Sequence, residues 1–163
     1  MDPPMSMQEI YGKPGHLIRR AHQIAVALFM EECEGLDITP VQYAMLLSIR
    51  ENPGVDATRL SALIAFDRST LGSVLERLEA RKLVLRSASP DDKRIKVLHL
   101  TPAGTALLRA AEPAVARSQK RLLEPLPQRD RASLLTLLSE LVRLNDDAVP
   151  PEVREAGRQN QSR

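Results

Sequence analysis

The sequence predicts a mainly α chain of α+β class, and three observations carry the prediction. Apolar residues make up 43% of the chain but aromatics only 2%, with no Trp, so the core must be built from Leu, Ala, Val and Ile. That composition favours helices. Most apolar residues recur at i, i+3, i+4, i+7 behind cap and proline signals, whereas residues 83–100 instead read as one β-hairpin. At 163 residues the chain suits one domain with a core of its own.

Taken in order, residues 1–14 have mixed polarity and no period, which predicts a flexible arm. A helix follows over residues 16–34, with an apolar stripe of Leu17, Ile18, Ala21, Ile24, Ala25, Leu28 and Phe29. A helical wheel sets His16, Arg20 and Gln23 on one edge of the stripe and Arg19 and His22 on the other. Gly35 ends it. Thr39-Pro40-Val41-Gln42 then gives an N-cap, a proline at the first helical position and a glutamine three after the cap, a capping-box signature. The helix to Arg50 is apolar on more than one face and is expected to be buried. Asn52-Pro53-Gly54 is a turn, and Asp56 caps a short helix over residues 57–65, followed by a corner at Phe66 and Asp67.

Residues 67–85, DRSTLGSVLERLEARKLVL, form the next helix and lead into a strand. Leu71, Val74, Leu75 and Leu78 share one side. Arg68, Ser69, Thr70, Ser73 and Arg77 occupy the other, with Asp67 as the N-cap. Small hydroxyl side chains flanked by guanidinium groups at a helix N-terminus suit entry into a nucleic-acid groove. The same residues also suit a merely solvated face. Two helices across a tight corner make a helix-turn-helix. Beyond it, strand 83–87, the turn Ser89-Pro90-Asp91-Asp92 and the returning strand 93–100, with Ile95 and Val97 inward, make a two-stranded wing with Lys93 and Arg94 at its tip. A second element presenting cations to the same side favours nucleic-acid binding over the solvated face.

Thr101-Pro102 starts a long helix through Leu107, Leu108, Ala111, Val115 and Leu122, with a kink expected at Pro113. A last helix over residues 129–146 is rich in leucine, and a polar, disordered tail follows. So much leucine on terminal helices needs a partner surface, which a second copy would supply.

Net charge is only +2, but residues 59–96 carry nine basic and five acidic side chains, so that middle is +4 and the remainder −2. A single cysteine excludes an intrachain disulfide framework and suits a reducing cytoplasm. No apolar run has the length of a membrane span, and the first residues lack the features of a signal peptide. No nucleophile-base pair, phosphate loop or metal motif points to an enzyme, and no cofactor is expected.

In this order the residues resemble the MarR family of bacterial transcriptional regulators over about residues 15–144. ITPVQYAMLLSI, DRSTLGSVLERLEARKLVLR and SPDDKRIKVLHLTPAG carry the resemblance, the last similar to the family's wing followed by its LT-x-x-G helix entry. Lys93 and Arg94 after Asp92 stand where the family usually has two arginine-type residues. The resemblance implies one unit over residues 15–147, in which dimerisation helices 15–35 and 102–147 flank a winged helix-turn-helix at 38–100, leaving a tail at 148–163. It also implies a homodimer on a pseudo-palindromic operator of double-stranded DNA, with recognition helices in successive major grooves roughly 34 Å apart. Base-edge contacts fall to Ser69, Thr70, Gly72 and Ser73. Arg68 and Arg77 meet phosphates or a base, and Arg94 with Lys93 meets the minor groove or its rim. Asp92 pairs with Arg94 to fix the wing tip.

The resemblance further implies a crevice beside the first helix, where a small anionic aromatic or acyl-CoA effector releases DNA. His16, Arg19, Arg20 and His22 are candidates to meet it, and Tyr43 is either a wall of that crevice or part of the core. The expected function is a ligand-responsive repressor of a catabolic or efflux operon. The alternatives are a redox sensor using Cys33, disfavoured by the charges of Glu31, Glu32 and Glu34 around it, and a winged-helix module that binds protein.

Overall fold

The computed structural model describes residues 7–66 and 68–143; the predicted tail and the Asp67 cap lie outside them. The order is α1 (Met7–Tyr11), α2 (Pro14–Glu32), α3 (Pro40–Glu51), β1 (Val55–Asp56), α4 (Ala57–Leu63), α5 (Arg68–Ala80), β2 (Val84–Ala88), β3 (Lys96–Leu100), α6 (Pro102–Leu123) and α7 (Gln128–Arg143).

The helix starts follow local chemistry. Thr39 and Gln42 form the reciprocal capping box, Gln42 N–H donating to Thr39 Oγ1 (3.3 Å) and Thr39 N–H to Gln42 Oε1 (3.0 Å). Asp56 Oδ1 accepts from the N–H groups of Thr58 (2.8 Å) and Arg59 (3.0 Å) and so starts α4. Thr101 Oγ1 accepts from Gly104 N–H (3.0 Å) and its hydroxyl donates to Lys82 O (2.7 Å), which ties the start of α6 to the end of α5. Helix α6 runs through Pro113 without a break.

Three details depart from the sequence reading. Residues Met7–Tyr11 are helical where an arm was expected, although none of them is buried. The wing belongs to a three-stranded antiparallel sheet of order β1-β3-β2, because Gly54, at φ +83°, turns the chain so that Val55 and Asp56 lie beside Leu98 and Val97. Ile95 is 46% exposed instead of inward: β3 starts at Lys96, three residues later than the predicted strand, and Val97 and Leu98 are the buried pair.

The core draws Met45, Leu46 and Ile49 from α3, Leu60 from α4, Leu71, Leu75 and Leu78 from α5, Leu98 from β3 and Leu108 from α6. Small buried residues on α6, Ala111, Ala114 and Ser118, let α2 pack closely on it. Arg117 and Arg121 fasten that contact to Glu32 (2.7 and 2.8 Å), with Arg121 also on Glu31 (3.0 Å). The two guanidinium groups hold the Glu32 carboxyl below its ordinary range.

Gly104 explains the small residue in the helix entry. A Cβ there would fall far inside contact distance of the Leu83 carbonyl oxygen, a backbone atom that cannot swing aside. Gly104→Ala is therefore expected to destabilise the fold by about 1–3 kcal/mol. Thermal unfolding by circular dichroism should show the midpoint several degrees lower, and an unchanged midpoint would mean that the backbone at Leu83 yields freely.

Candidate nucleic-acid interface

Helix α5 buries Leu71, Val74, Leu75 and Leu78 and leaves Ser69, Thr70, Ser73 and Arg77 exposed. Arg68 opens the helix; its side chain lies outside the described set. The Ser73 hydroxyl donates to Thr70 O (3.0 Å), which leaves its oxygen able to accept. Gly72 borders this face, and a Cβ built there would meet nothing within 4 Å. Packing therefore does not require a glycine, which costs a helix interior about 1 kcal/mol against alanine.

Two ion pairs lie at the end of this helix. Arg86 on β2 meets Glu79 (2.7 Å), and Arg81 reaches across to Asp37, donating to its carbonyl (2.6 Å) and lying 3.3 Å from its carboxylate. At the wing tip Arg94 donates three times to Asp92: backbone N–H (3.0 Å) and Nε (3.1 Å) to Oδ1, and Nη2 (3.0 Å) to Oδ2. The Arg94 side chain is 91% exposed all the same, so it is aimed and yet available. Pairing with Arg94 holds the Asp92 carboxyl below its ordinary range. Lys93 is exposed beside it, as is Lys96, which the sequence reading left out.

A cavity of about 360 Å³ lies between α2, the start of α3 and the α4–α5 corner, lined by His22, Val26, Pro40, Val41, Ala44, Ile64 and Phe66. Of the five residues predicted to meet an effector, only His22 lines it. His16 stands by Arg19 (3.4 Å) and against the Tyr11 ring (5.2 Å), so it joins Arg19 and not Arg20, while Arg20 donates to Gln23 (3.2 Å). Residues three and four positions on flank His16 on either side, and the wheel could not choose between them. Tyr43 packs edge-on against Phe29 (6.0 Å), and burial pushes its phenol up. Val41 and Ala44 belong to the helix expected to be buried and Phe66 to the expected corner, so the sequence shows no cavity wall in them.

Cys33 is 3% exposed, and burial, more than the nearby glutamates, pushes its thiol up, away from the reactive thiolate. Among the described residues no cluster of His, Cys, Asp and Glu could hold a metal ion, and no helix is long and apolar enough to cross a membrane.

Comparison with known proteins gives this geometry its context. The MarR family model matches residues 38–96. The HTH-type transcriptional repressor NicR of Pseudomonas putida is 31% identical over 134 residues, 82% of this chain and 85% of the relative. The chain belongs to the MarR family. It is accordingly a DNA-binding transcriptional regulator and not an enzyme. Among solved structures of the fold, the transcriptional repressor CouR bound to a 23-mer DNA duplex is 31% identical with a TM-score of 0.77, covering 86% of this chain and 99% of that one. CouR has also been solved with p-coumaroyl-CoA, at 30% identity and a TM-score of 0.77 over 85% of this chain and 98% of that one. BpsR of Bordetella bronchiseptica, whose DNA binding is regulated by 6-hydroxynicotinic acid, is 29% identical with a TM-score of 0.78, over 86% and 98%.

Proposed function

We propose that this MarR-family chain is a cytoplasmic homodimeric repressor of a catabolic or efflux operon, released from a pseudo-palindromic operator by a small aromatic acid or its acyl thioester. The observation that carries the DNA reading is the exposed polar face of α5, with Gly72 free of any packing demand, accompanied by a wing tip on which Asp92 aims Arg94. Ser69, Thr70, Gly72 and Ser73 read base edges, Arg68 and Arg77 hold phosphates or a base, and Lys93 and Arg94 reach the minor groove or its rim. Winged helix-turn-helix 38–100 is the reading lobe, and helices 15–35 and 102–147 pair the copies.

Supporting the effector reading, the cavity beside α2 has the size and apolar lining of a small-molecule site, with one polar side chain, His22, to orient the guest. It suits an aryl acid or the acyl end of a thioester, the rest of the coenzyme staying outside. Arg19 and Arg20, exposed on the same helix, and the half-buried His16 then belong to the approach and not the seat. The relatives' ligands, p-coumaroyl-CoA and 6-hydroxynicotinic acid, fit this class.

A gel shift on DNA flanking the gene, with a panel of aromatic acids and thioesters, tests the proposal. One member of the panel should release the DNA, and His22→Ala should blunt release more than Arg19→Ala or Arg20→Ala. No binding to that DNA even at low salt would sink the operator assignment. Release unaffected by His22→Ala would move the effector elsewhere.

A further inference from the structure

One wall of the cavity is also the corner that aims α5. Helix α4 ends at Leu63 and α5 begins at Arg68, and between them Ile64 and Phe66 both line the cavity. The corner closes on backbone bonds from Ile64 N–H to Leu60 O (3.2 Å) and Ala65 N–H to Ala62 O (3.3 Å). Phe66 is held twice by one residue: its N–H donates to Ser61 O (3.1 Å), and the Ser61 hydroxyl donates to Phe66 O (2.5 Å). Between these anchors Ala65 sits at φ +51°, a left-handed conformation that disfavours a residue with a Cβ. The corner is thus kept in an unfavourable backbone state by bonds that converge on Ser61 and Phe66, and Phe66 is what a guest in the cavity would touch.

We propose that the Ser61 hydroxyl is a latch joining the cavity to the reading helix. Holding the Phe66 carbonyl, it sets α5 for the groove. An occupant that displaces Phe66 breaks this bond, lets Ala65 relax toward ordinary backbone angles and turns the start of α5 away from DNA. Ser61 is a positioning residue, since it acts through Phe66 and touches neither base nor guest. The latch rests on the effector reading only for the identity of the occupant, because a substitution can fill the cavity as well.

The experiment uses a duplex selected by the parent protein from a randomised pool, and a scrambled duplex of the same length. Affinities for both are measured for the parent, Ser61→Ala, Ser61→Thr, Ala44→Leu and the Ser61→Ala/Ala44→Leu double variant, with thermal unfolding recorded for each. Ser61→Ala should lose about thirtyfold on the selected duplex, about fivefold for the one hydrogen bond lost in each copy of the dimer. On the scrambled duplex it should bind as the parent does, because no charge has changed. Ser61→Thr, which keeps the hydroxyl, should restore selective binding. Ala44→Leu, extending a lining residue of α3, should reproduce the selective loss, and the double variant should be no worse than either single change. Ala44→Val makes the same comparison if leucine overpacks the site. Equal losses on both duplexes, additive losses in the double variant or parent-like binding by Ser61→Ala would each overturn the latch. Calorimetry with 6-hydroxynicotinic acid and p-coumaroyl-CoA keeps the two ideas apart: a selective loss in Ala44→Leu without binding of either compound upholds the latch and counts against the effector class.

Discussion

Arg94→Ala is expected to weaken operator binding more than removal of any other single exposed charge. A base-reading arginine is worth about 1–3 kcal/mol, and two wings meet one duplex, so the dimer should lose about 2–6 kcal/mol. Lys93→Ala should cost less, since among the described residues Asp92 is bonded to Arg94 and none is so placed on Lys93. Affinity measured against salt separates the possible roles. If Arg94 holds phosphates, operator and random DNA lose equally and the salt slope falls by about one for each wing. If it reads the minor groove, the operator suffers more.

Asp92→Ala sharpens the test because charge and geometry then pull in opposite directions. Removing an acidic group near DNA favours binding to any sequence, whereas releasing Arg94 from its three bonds costs the operator its aimed contact. Random DNA should bind as tightly as before or more tightly, and the operator more weakly. The carboxyl of Asp92 is held low first by the Arg94 side chain and then by the Arg94 backbone N–H. The pairing is therefore fully present above the ordinary aspartate range and fails only as pH falls through the lowered value, so mild acidification should leave the wing tip intact. Operator affinity lost already near neutral pH would point away from Asp92.

Much of the reading lobe was legible because its signals are local. The caps at Thr39, Asp56 and Thr101 each depend on atoms within four residues, and the buried stripe of α5 follows from the helical period alone. Strand β1 was not legible. Its two residues pair with Val97 and Leu98, far along the chain, and nothing in a two-residue run announces a partner. The cavity failed for a related reason, as its walls come from three elements and each wall residue taken alone looks like core. Charge drew attention instead to Arg20, which the structure pairs with Gln23. Gly72 shows the converse: only the empty space around it separates a glycine that packing requires from one that it does not.

The dimer should depend on α7 more than on any other element. Leu135, Leu137, Leu138, Leu141 and Val142 all lie exposed on this 16-residue helix, which has almost no contact with the rest of its own chain. A lone helix of that length is marginal in water, so its stability has to come from apolar contact, and a second copy offers it through the equally exposed Leu17, Ile18 and Ile24 of α2 and through α7 itself. Leu138→Asp with Leu141→Asp removes four half-exposed leucines per dimer and puts four charges into the seam, at a cost of about 3–6 kcal/mol from lost burial alone. Sedimentation should find monomers at concentrations where the parent is dimeric. Because α7 does not support the winged lobe, the thermal transition of that lobe and its weak attraction to random DNA should survive. Operator binding should fall by a hundredfold or more, roughly the advantage gained when one bound half holds the other at high local concentration. A double variant that stays dimeric would place the pairing surface on α2 and α6 without α7, leaving the apolar face of α7 for another partner.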